Sequence, residues 1–417
     1  MPELYPFQKK AVDDLTNGKK IAVLGTGCGK TAVMFRWLKN TGKRRVVVVT
    51  TPSKARSGDM EKEAVIWNGQ DWVDGLESFE VISWYKFAKW KEDWGRGHTF
   101  NIEAYGREWA IAFDEVAKAK AGVSSGMGKA FLGITNVIED WSGYTATPGD
   151  KWIDLHAYMV AADLVRNKTA FMREYANVNT FKGFPEITSY NHQDKLQEMW
   201  DEISTRPDTS QLNRGMPPET HKVVELKAPA SYKKLLKERI HPKTGEYIET
   251  GMGLVHACRQ LCFTPEKKEW LSDFLEGLGT NCVLFCNYIE EEEEVCKIAK
   301  KALPKGARIW RIDGKHHEIP TAETIGKYDI VVAHYASGGE ALNLQFMNYW
   351  CAVSPNYSLS VSVQARGRIK RIGQKKPMFF YYLKTMKTIE EDIYRCLKGK
   401  KDFSESTWLA DNGLGAV

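Results

Sequence analysis

The sequence predicts an α/β protein of two parallel-sheet lobes in tandem with a helical insertion between them. Three observations carry this. Short apolar segments alternate with helical stretches over the first 150 residues, a helical and polar stretch follows to about residue 215, and a second alternating region fills the rest. Buried strands that alternate with helices require parallel pairing through right-handed crossovers. The expected boundaries are 1–155 for the first lobe, 156–215 for the insertion and 216–417 for the second lobe.

In the first lobe the strand segments are IAVLG (21–25), VVVVT (46–50), EVIS (80–83), AIAFDE (110–115) and WSGYTAT (141–147). The insertion ends in the turn-rich STRPDTSQLNRGMPPET. The second lobe offers KVVEL (222–226), NCVLFC (281–286), ARIWRID (307–313), YDIVVAH (328–334), YWCAVS (349–354) and MFFYYLK (378–384). No internal repeat is present, and the acidic run at 290–294 reads as a solvated face opening a helix, where negative charge suits the positive helix end.

At 417 residues the chain can bury a core in each lobe, and its net charge of +6 is mildly basic, compatible with a nucleic-acid partner without requiring one. MPELYPFQKKAVDDL has no basic-then-apolar leader, and no apolar run approaches membrane-spanning length. The expectation is a soluble chain with no membrane association, cytoplasmic in a prokaryotic or virus-infected cell, with a nuclear location left open. The eight cysteines show no zinc spacing: Cys282 and Cys286 would lie about 13 Å apart along a strand, and Cys258 and Cys262 lack a second ligand pair. The aromatic residues of SWYKFAKW, Trp84, Phe87 and Trp90, read as core rather than as base-stacking platforms.

LGTGCGKT (24–31) follows the strand IAVL and precedes the helical TAVMFRWLK. A glycine-rich turn in that position aims backbone N–H groups and the positive helix end at phosphate. Gly25, Thr26, Gly27 and Gly29 form the candidate cradle, Lys30 would reach the β- and γ-phosphates, and the Thr31 hydroxyl would ligate Mg²⁺. Leu24 stands where the strict phosphate-loop pattern has glycine. AIAFDEV (110–116) supplies the other half of such a site, Asp114 holding Mg²⁺ through water and Glu115 polarising the attacking water. The cofactors so implied are ATP and Mg²⁺. Finally, QARGRIKRIGQKK (364–376) carries six basic residues in thirteen; on a helix, Gln364, Arg368 and Arg371 would stack along one face.

With those motifs in order, the chain resembles the superfamily 2 helicases and translocases. LYPFQKKAV (4–12) is similar to the Q motif, GTGCGKT to motif I, FDEVAK to motif II, GYTATPGD (143–150) to motif III, NCVLFCNY to motif IV, SGGEALNLQ (337–345) to motif V and QARGRIKR (364–371) to motif VI. The segment from SGGEALNLQ to RIGQKK resembles the Swi/Snf-like branch. The resemblance implies two RecA-like lobes. It implies that Gln8 reads the adenine edge, that Gly339 and Glu340 join the nucleotide site, and that Gln364, Arg368 and Arg371 act in catalysis. The two arginines would serve as fingers on the γ-phosphate, a task suited to a planar, permanently charged fork. Thr145 and Thr147 would couple the nucleotide site to the nucleic-acid site. Thr51, Ser53 and Lys54, then Ser83, Tyr85 and Lys86, and in the second lobe Asn287, Ser337 and Gly338, would contact nucleic acid through its backbone. Ala117 departs from the pattern, since relatives usually carry His or Asp there.

The implied activity is ATP-dependent translocation on double-stranded or branched DNA, in replication, recombination or repair, by a monomer. A strand-separating DNA or RNA helicase is one alternative; a nucleotide-binding switch with weak catalysis is another.

Overall fold

The computed structural model describes the chain except residues 90–104, 150, 182–183, 210–215, 317, 336–341, 400–401 and 415–417. Contacts divide it into two units, Met1–Arg214 and Gly215–Val417.

The first unit contains strands β1 (Ile21–Val23), β2 (Arg45–Thr50), β3 (Ser78–Ser83), β4 (Trp109–Asp114), β5 (Asp140–Thr145), β6 (Ala176–Phe181), β7 (Phe184–Tyr190) and β8 (Ser204–Thr205). Six of them form one sheet in the order β3-β2-β4-β5-β1-β8, and every pairing in it is parallel. The continuous VVVVT run has a direct explanation. Val47 and Val49 enter one core with Ile111, Phe113 and Phe131, whereas Val46 and Val48 enter another with Phe7, Val33 and Leu38. A strand covered on both faces has no polar side to alternate with.

Residues 156–205, expected as part of a separate helical insertion, are built into this first unit. Helix Gln193–Ile203 buries Leu196, Met199, Trp200 and Ile203, an i, i+3, i+4, i+7 stripe, in the same cluster as Ile111 and Phe113. Directly after it, β8 pairs with β1, Ser204 opposite Ile21 and Thr205 opposite Ala22. The segment also contains the antiparallel hairpin β6–β7, which its sequence did not announce.

The second unit contains β9 (Glu219–Leu226), β10 (Cys282–Cys286), β11 (Ile309–Ile312), β12 (Ile330–His334), β13 (Tyr349–Ala352) and β14 (Met378–Thr385), in the order β11-β12-β10-β13-β14-β9, again all parallel. Val283 and Phe285 face one core while Cys282, Leu284 and Cys286 face the other. These are two RecA-like lobes, each a six-stranded parallel sheet flanked by helices. All eight cysteines are unbridged, and no cluster of metal-ligating side chains occurs among the described residues. No described helix is long and apolar enough to cross a membrane.

Candidate nucleotide and nucleic-acid sites

In the first unit the glycine loop leaves the end of β1, tied to β5 by a hydrogen bond from Leu24 N to Thr145 O at 3.0 Å. Helix Lys30–Asn40 begins directly after it. Gly27 and Gly29 have φ of 80° and 73°, the left-handed region that penalises a side chain. At Gly29 space is lacking too, because a Cβ would meet Gln8 Nε2 at 2.3 Å.

That near contact shows what Gln8 does here. It is buried, its Nε2 donates to Cys28 O at 3.0 Å, and its Oε1 accepts from Tyr5 N at 3.0 Å. The amide expected to read adenine here braces helix Pro6–Thr16 against the glycine loop, through one donor and one acceptor bond.

β4 delivers Asp114 and Glu115 to the same end of the sheet. Glu115 has φ 53°, an unfavourable conformation for a residue with a side chain, and its Oε1 lies 3.9 Å from Lys30 Nζ. Lys30 Nζ is also 3.5 Å from Leu24 O. Burial pulls the Lys30 pKa down, opposed by the charges of Glu115 and Asp114. Asp114 is buried, which by itself would push its pKa up; Lys54, Thr50 and Lys30 outweigh that and hold it below the ordinary carboxylate range.

Lys54 was expected on a nucleic-acid surface. It stands on helix Pro52–Ser57, but its Nζ lies 2.7 Å from Asp114 Oδ2. Thr50 Oγ1 donates to the same oxygen at 2.7 Å. Trp84 Nε1 donates to the Asp114 carbonyl at 2.7 Å. Thr50 and Trp84 are neighbours of Asp114 that motif reading missed: Thr50 ends β2, which pairs with β4, and Trp84 follows β3, which pairs with β2, and both registers are tertiary facts. Trp84 and Phe87 are fully buried.

The donor set suits a nucleotide with Mg²⁺. Thr31 and Asp114 offer hard oxygens, as Mg²⁺ prefers, and the bonds from Thr50 and Lys54 to the Asp114 carboxylate both fall on Oδ2. In the loop, Thr26 Oγ1 is buried without a hydrogen-bond partner among the described residues, an orphan that a phosphate oxygen would satisfy. Thr145 is fully buried and its Oγ1 accepts from Thr147 N at 3.1 Å, so the two candidate coupling residues are bonded to each other and, through Thr145 O, to the loop. Ser83 Oγ accepts from Lys86 N at 3.1 Å, and Tyr85 and Lys86 are exposed. Thr51 is buried.

In the second unit the basic motif does not form one helical face. Helix Leu359–Arg366 carries Gln364, but it ends at Arg366, and Arg368 and Arg371 occupy the turns that follow. Arg368 is buried, its carbonyl accepting from Leu344 N at 3.1 Å. Arg371 Nη1 donates to Leu342 O at 3.2 Å and to Asn343 Oδ1. Gln374 Nε2 donates to Met347 O at 2.8 Å and Ile369 O at 3.1 Å. The turn is thereby clipped to residues 342–347, the continuation of motif V. Lys370 pairs with Glu219 at 2.9 Å.

Asn287 is similarly occupied: its Nδ2 reaches Ser354 Oγ at 3.0 Å and Pro355 O at 2.7 Å, and its Oδ1 accepts from Asn356 Nδ2. Its side chain holds two loops together rather than projecting toward a ligand. The acidic run is only half solvated: Glu291 accepts from Asn287 N and Ser354 Oγ, and Glu292 pairs with Arg311 at 2.6 Å, both carboxylates buried. Ser337, Gly338, Gly339 and Glu340 lie outside the described residues, as do Trp90 and the side chain of Ser53.

No family model matches the chain. Curated relatives match over parts of it. The TATA-binding protein-associated factor mot1 of Aspergillus fumigatus is 28% identical over 143 residues, 32% of this chain and 8% of the relative. An uncharacterized ATP-dependent helicase, YqhH, of Bacillus subtilis is 36% identical over 75 residues, 18% of this chain and 13% of the relative. The DNA repair protein rad8 of Schizosaccharomyces pombe is 33% identical over 89 residues, 21% of this chain and 8% of the relative. The matches thus span about a tenth of these relatives' lengths. Among solved structures, the Sulfolobus solfataricus SWI2/SNF2 ATPase core in complex with double-stranded DNA aligns over 95% of this chain and 91% of that one, at 16% identity and TM-score 0.44.

The chain resembles the Swi/Snf-like branch of superfamily 2. The first lobe gathers Lys30, Asp114, Glu115 and the glycine loop at the C-terminal end of its parallel sheet. Motif reading named Gln8 and Lys54 for other roles, whereas here Gln8 braces the loop and Lys54 pairs with Asp114; it missed Thr50 and Trp84 on Asp114 and the clips that Asn343 and Gln374 make around the motif VI turn.

Proposed function

We propose that the chain is an ATP-driven motor that moves along double-stranded or branched DNA, in replication, recombination or repair. One observation carries this reading: Lys30 on a glycine loop with two left-handed glycines, 3.9 Å from Glu115 and beside the buried Asp114. The naming of the partial relatives as a helicase and a DNA repair protein supports it.

In this mechanism the loop N–H groups and Lys30 bind the β- and γ-phosphates. Thr31 and Asp114 would hold Mg²⁺, which supplies charge neutralisation at the phosphate oxygens. Glu115, fixed in its left-handed turn, orients the water that attacks the γ-phosphate. For Arg368 and Arg371 the reading keeps the role that the resemblance implies, donation to phosphoryl oxygens as charge builds. Thr145 and Thr147 connect this chemistry to the nucleic-acid surface.

The relative named as an ATP-dependent helicase favours a second reading, strand separation. An ATPase assay with duplex DNA, single strands and RNA decides between them. The motor reading expects the largest stimulation from duplex, and Lys30→Ala abolishing nucleotide binding or turnover. Stimulation by RNA or single strands alone would favour strand separation, and turnover indifferent to every nucleic acid would favour a nucleotide switch.

A further inference from the structure

Lys54 belongs to a surface helix and yet serves a buried carboxylate. Helix Pro52–Ser57 also carries the exposed Arg56 and Ser57. The Lys54 side chain keeps 23% of its exposure while its Nζ sits 2.7 Å from Asp114 Oδ2, on a side chain only 4% exposed. Thr50 Oγ1 occupies the same oxygen. An ammonium and a divalent cation drawn to one carboxylate repel each other and divide its negative charge. A lysine stem is long and flexible, so its charged end can swing between an inner and an outer partner.

We propose that Lys54 is the positioning residue that couples backbone binding to metal binding in the first lobe: an anionic phosphate backbone held along helix Pro52–Ser57 draws its ammonium away from Asp114 and raises the affinity of that carboxylate for the divalent ion. The inference rests on the nucleotide-site reading above. Linkage makes the effect reciprocal, so metal–nucleotide at Asp114 turns Lys54 outward and strengthens the grip on the backbone. The connection needs no side chain at Ala117, which has no donor or acceptor to offer.

The test is Mn²⁺ binding to the full chain in the presence of ADP, followed by electron paramagnetic resonance with and without a short DNA duplex. Wild type is expected to bind Mn²⁺ more tightly when duplex is added. Lys54→Met is expected to bind Mn²⁺ about tenfold more tightly than wild type without duplex, the scale of losing one charge-assisted competitor, and to ignore duplex. Lys54→Arg, which keeps the charge, is expected to retain the duplex response. Should Lys54→Met not fold, Lys54→Gln removes the charge while keeping a donor, and the same comparison applies. Unchanged or weaker Mn²⁺ binding in the uncharged variant, or a duplex response equal to wild type, overturns the coupling role. A wild type whose Mn²⁺ affinity ignores duplex does the same. If Mn²⁺–ADP binding is absent or survives Lys30→Ala, the nucleotide-site reading itself falls, and the coupling with it.

Discussion

Lys267 and Glu390 are charged side chains with almost no exposure, 0% and 1%, in the interior of the second lobe. Lys267 Nζ reaches both carboxylate oxygens at 2.8 and 2.9 Å and Val353 O at 3.1 Å, while Glu390 also accepts from Thr385 N at 2.8 Å. Removing one partner strands the other charge in the core. Glu390→Ala is therefore expected to destabilise the protein by about 3–5 kcal/mol, and the double variant Lys267→Met, Glu390→Leu to recover most of that loss. Urea unfolding of the three proteins checks it; additive losses in the double variant would show that packing, not charge, dominates the position. Nothing in the sequence marks these two residues, 123 positions apart, because helices Pro265–Leu278 and Ile389–Lys398, which carry them, meet only in the folded lobe. Gly29 is the opposite case. Its place as the glycine of GKT in a loop after a strand was readable, and the structure adds the reasons for it, a φ of 73° and the Gln8 amide where a Cβ would stand. Lys54 shows where residue-level reading stops: the same side chain could serve a solvent-facing phosphate or Asp114, and only the register of β2 against β4 decides.

All the expected strand segments are strands, and the cause is specific. A segment such as Cys282–Cys286, buried on both faces, must be apolar throughout, which few loops imitate. Helix ends were harder. QARGRIKR has no proline and carries helical spacing, yet the helix stops at Arg366, with Gly367 as its cap. The turns beyond it are held by Leu344, Asn343 and Met347, residues from a different segment. Arg371 is thus held by a clip to a different segment of its own lobe. Arg371→Ala is expected to leave nucleotide binding within a few-fold of wild type and to slow turnover by about 10³-fold or more, the scale of a lost arginine finger. Nucleotide affinity and single-turnover rates measured together check this; near-normal turnover would remove Arg371 from the reaction. The hairpin β6–β7 went unread because its strands carry no regular apolar alternation to separate them from the polar helices around them.

The count of two lobes was legible because each lobe repeats the alternation of buried strand and helix; where the first lobe ends was not. A polar helical stretch looks like a linker when its apolar stripe is sparse, and Leu196, Met199, Trp200 and Ile203 make only four apolar positions in helix Gln193–Ile203. In the structure that stripe closes the core around Phe131 and Tyr158, and β8 completes the edge of the sheet beside β1, the strand that leads into the glycine loop. A fragment of residues 1–155 would expose this core face and leave the β1 edge unpaired, a template for association with other chains. Residues 1–214 retain both. The longer fragment is expected to unfold in one cooperative thermal transition and to bind nucleotide through Lys30, and the shorter one to aggregate or to show no transition. Circular dichroism melts with size-exclusion chromatography distinguish them. A shorter fragment as cooperative as the longer would mean that residues 156–205 only decorate the nucleotide lobe, whereas its failure would make them part of the platform on which Lys30 and Asp114 are set.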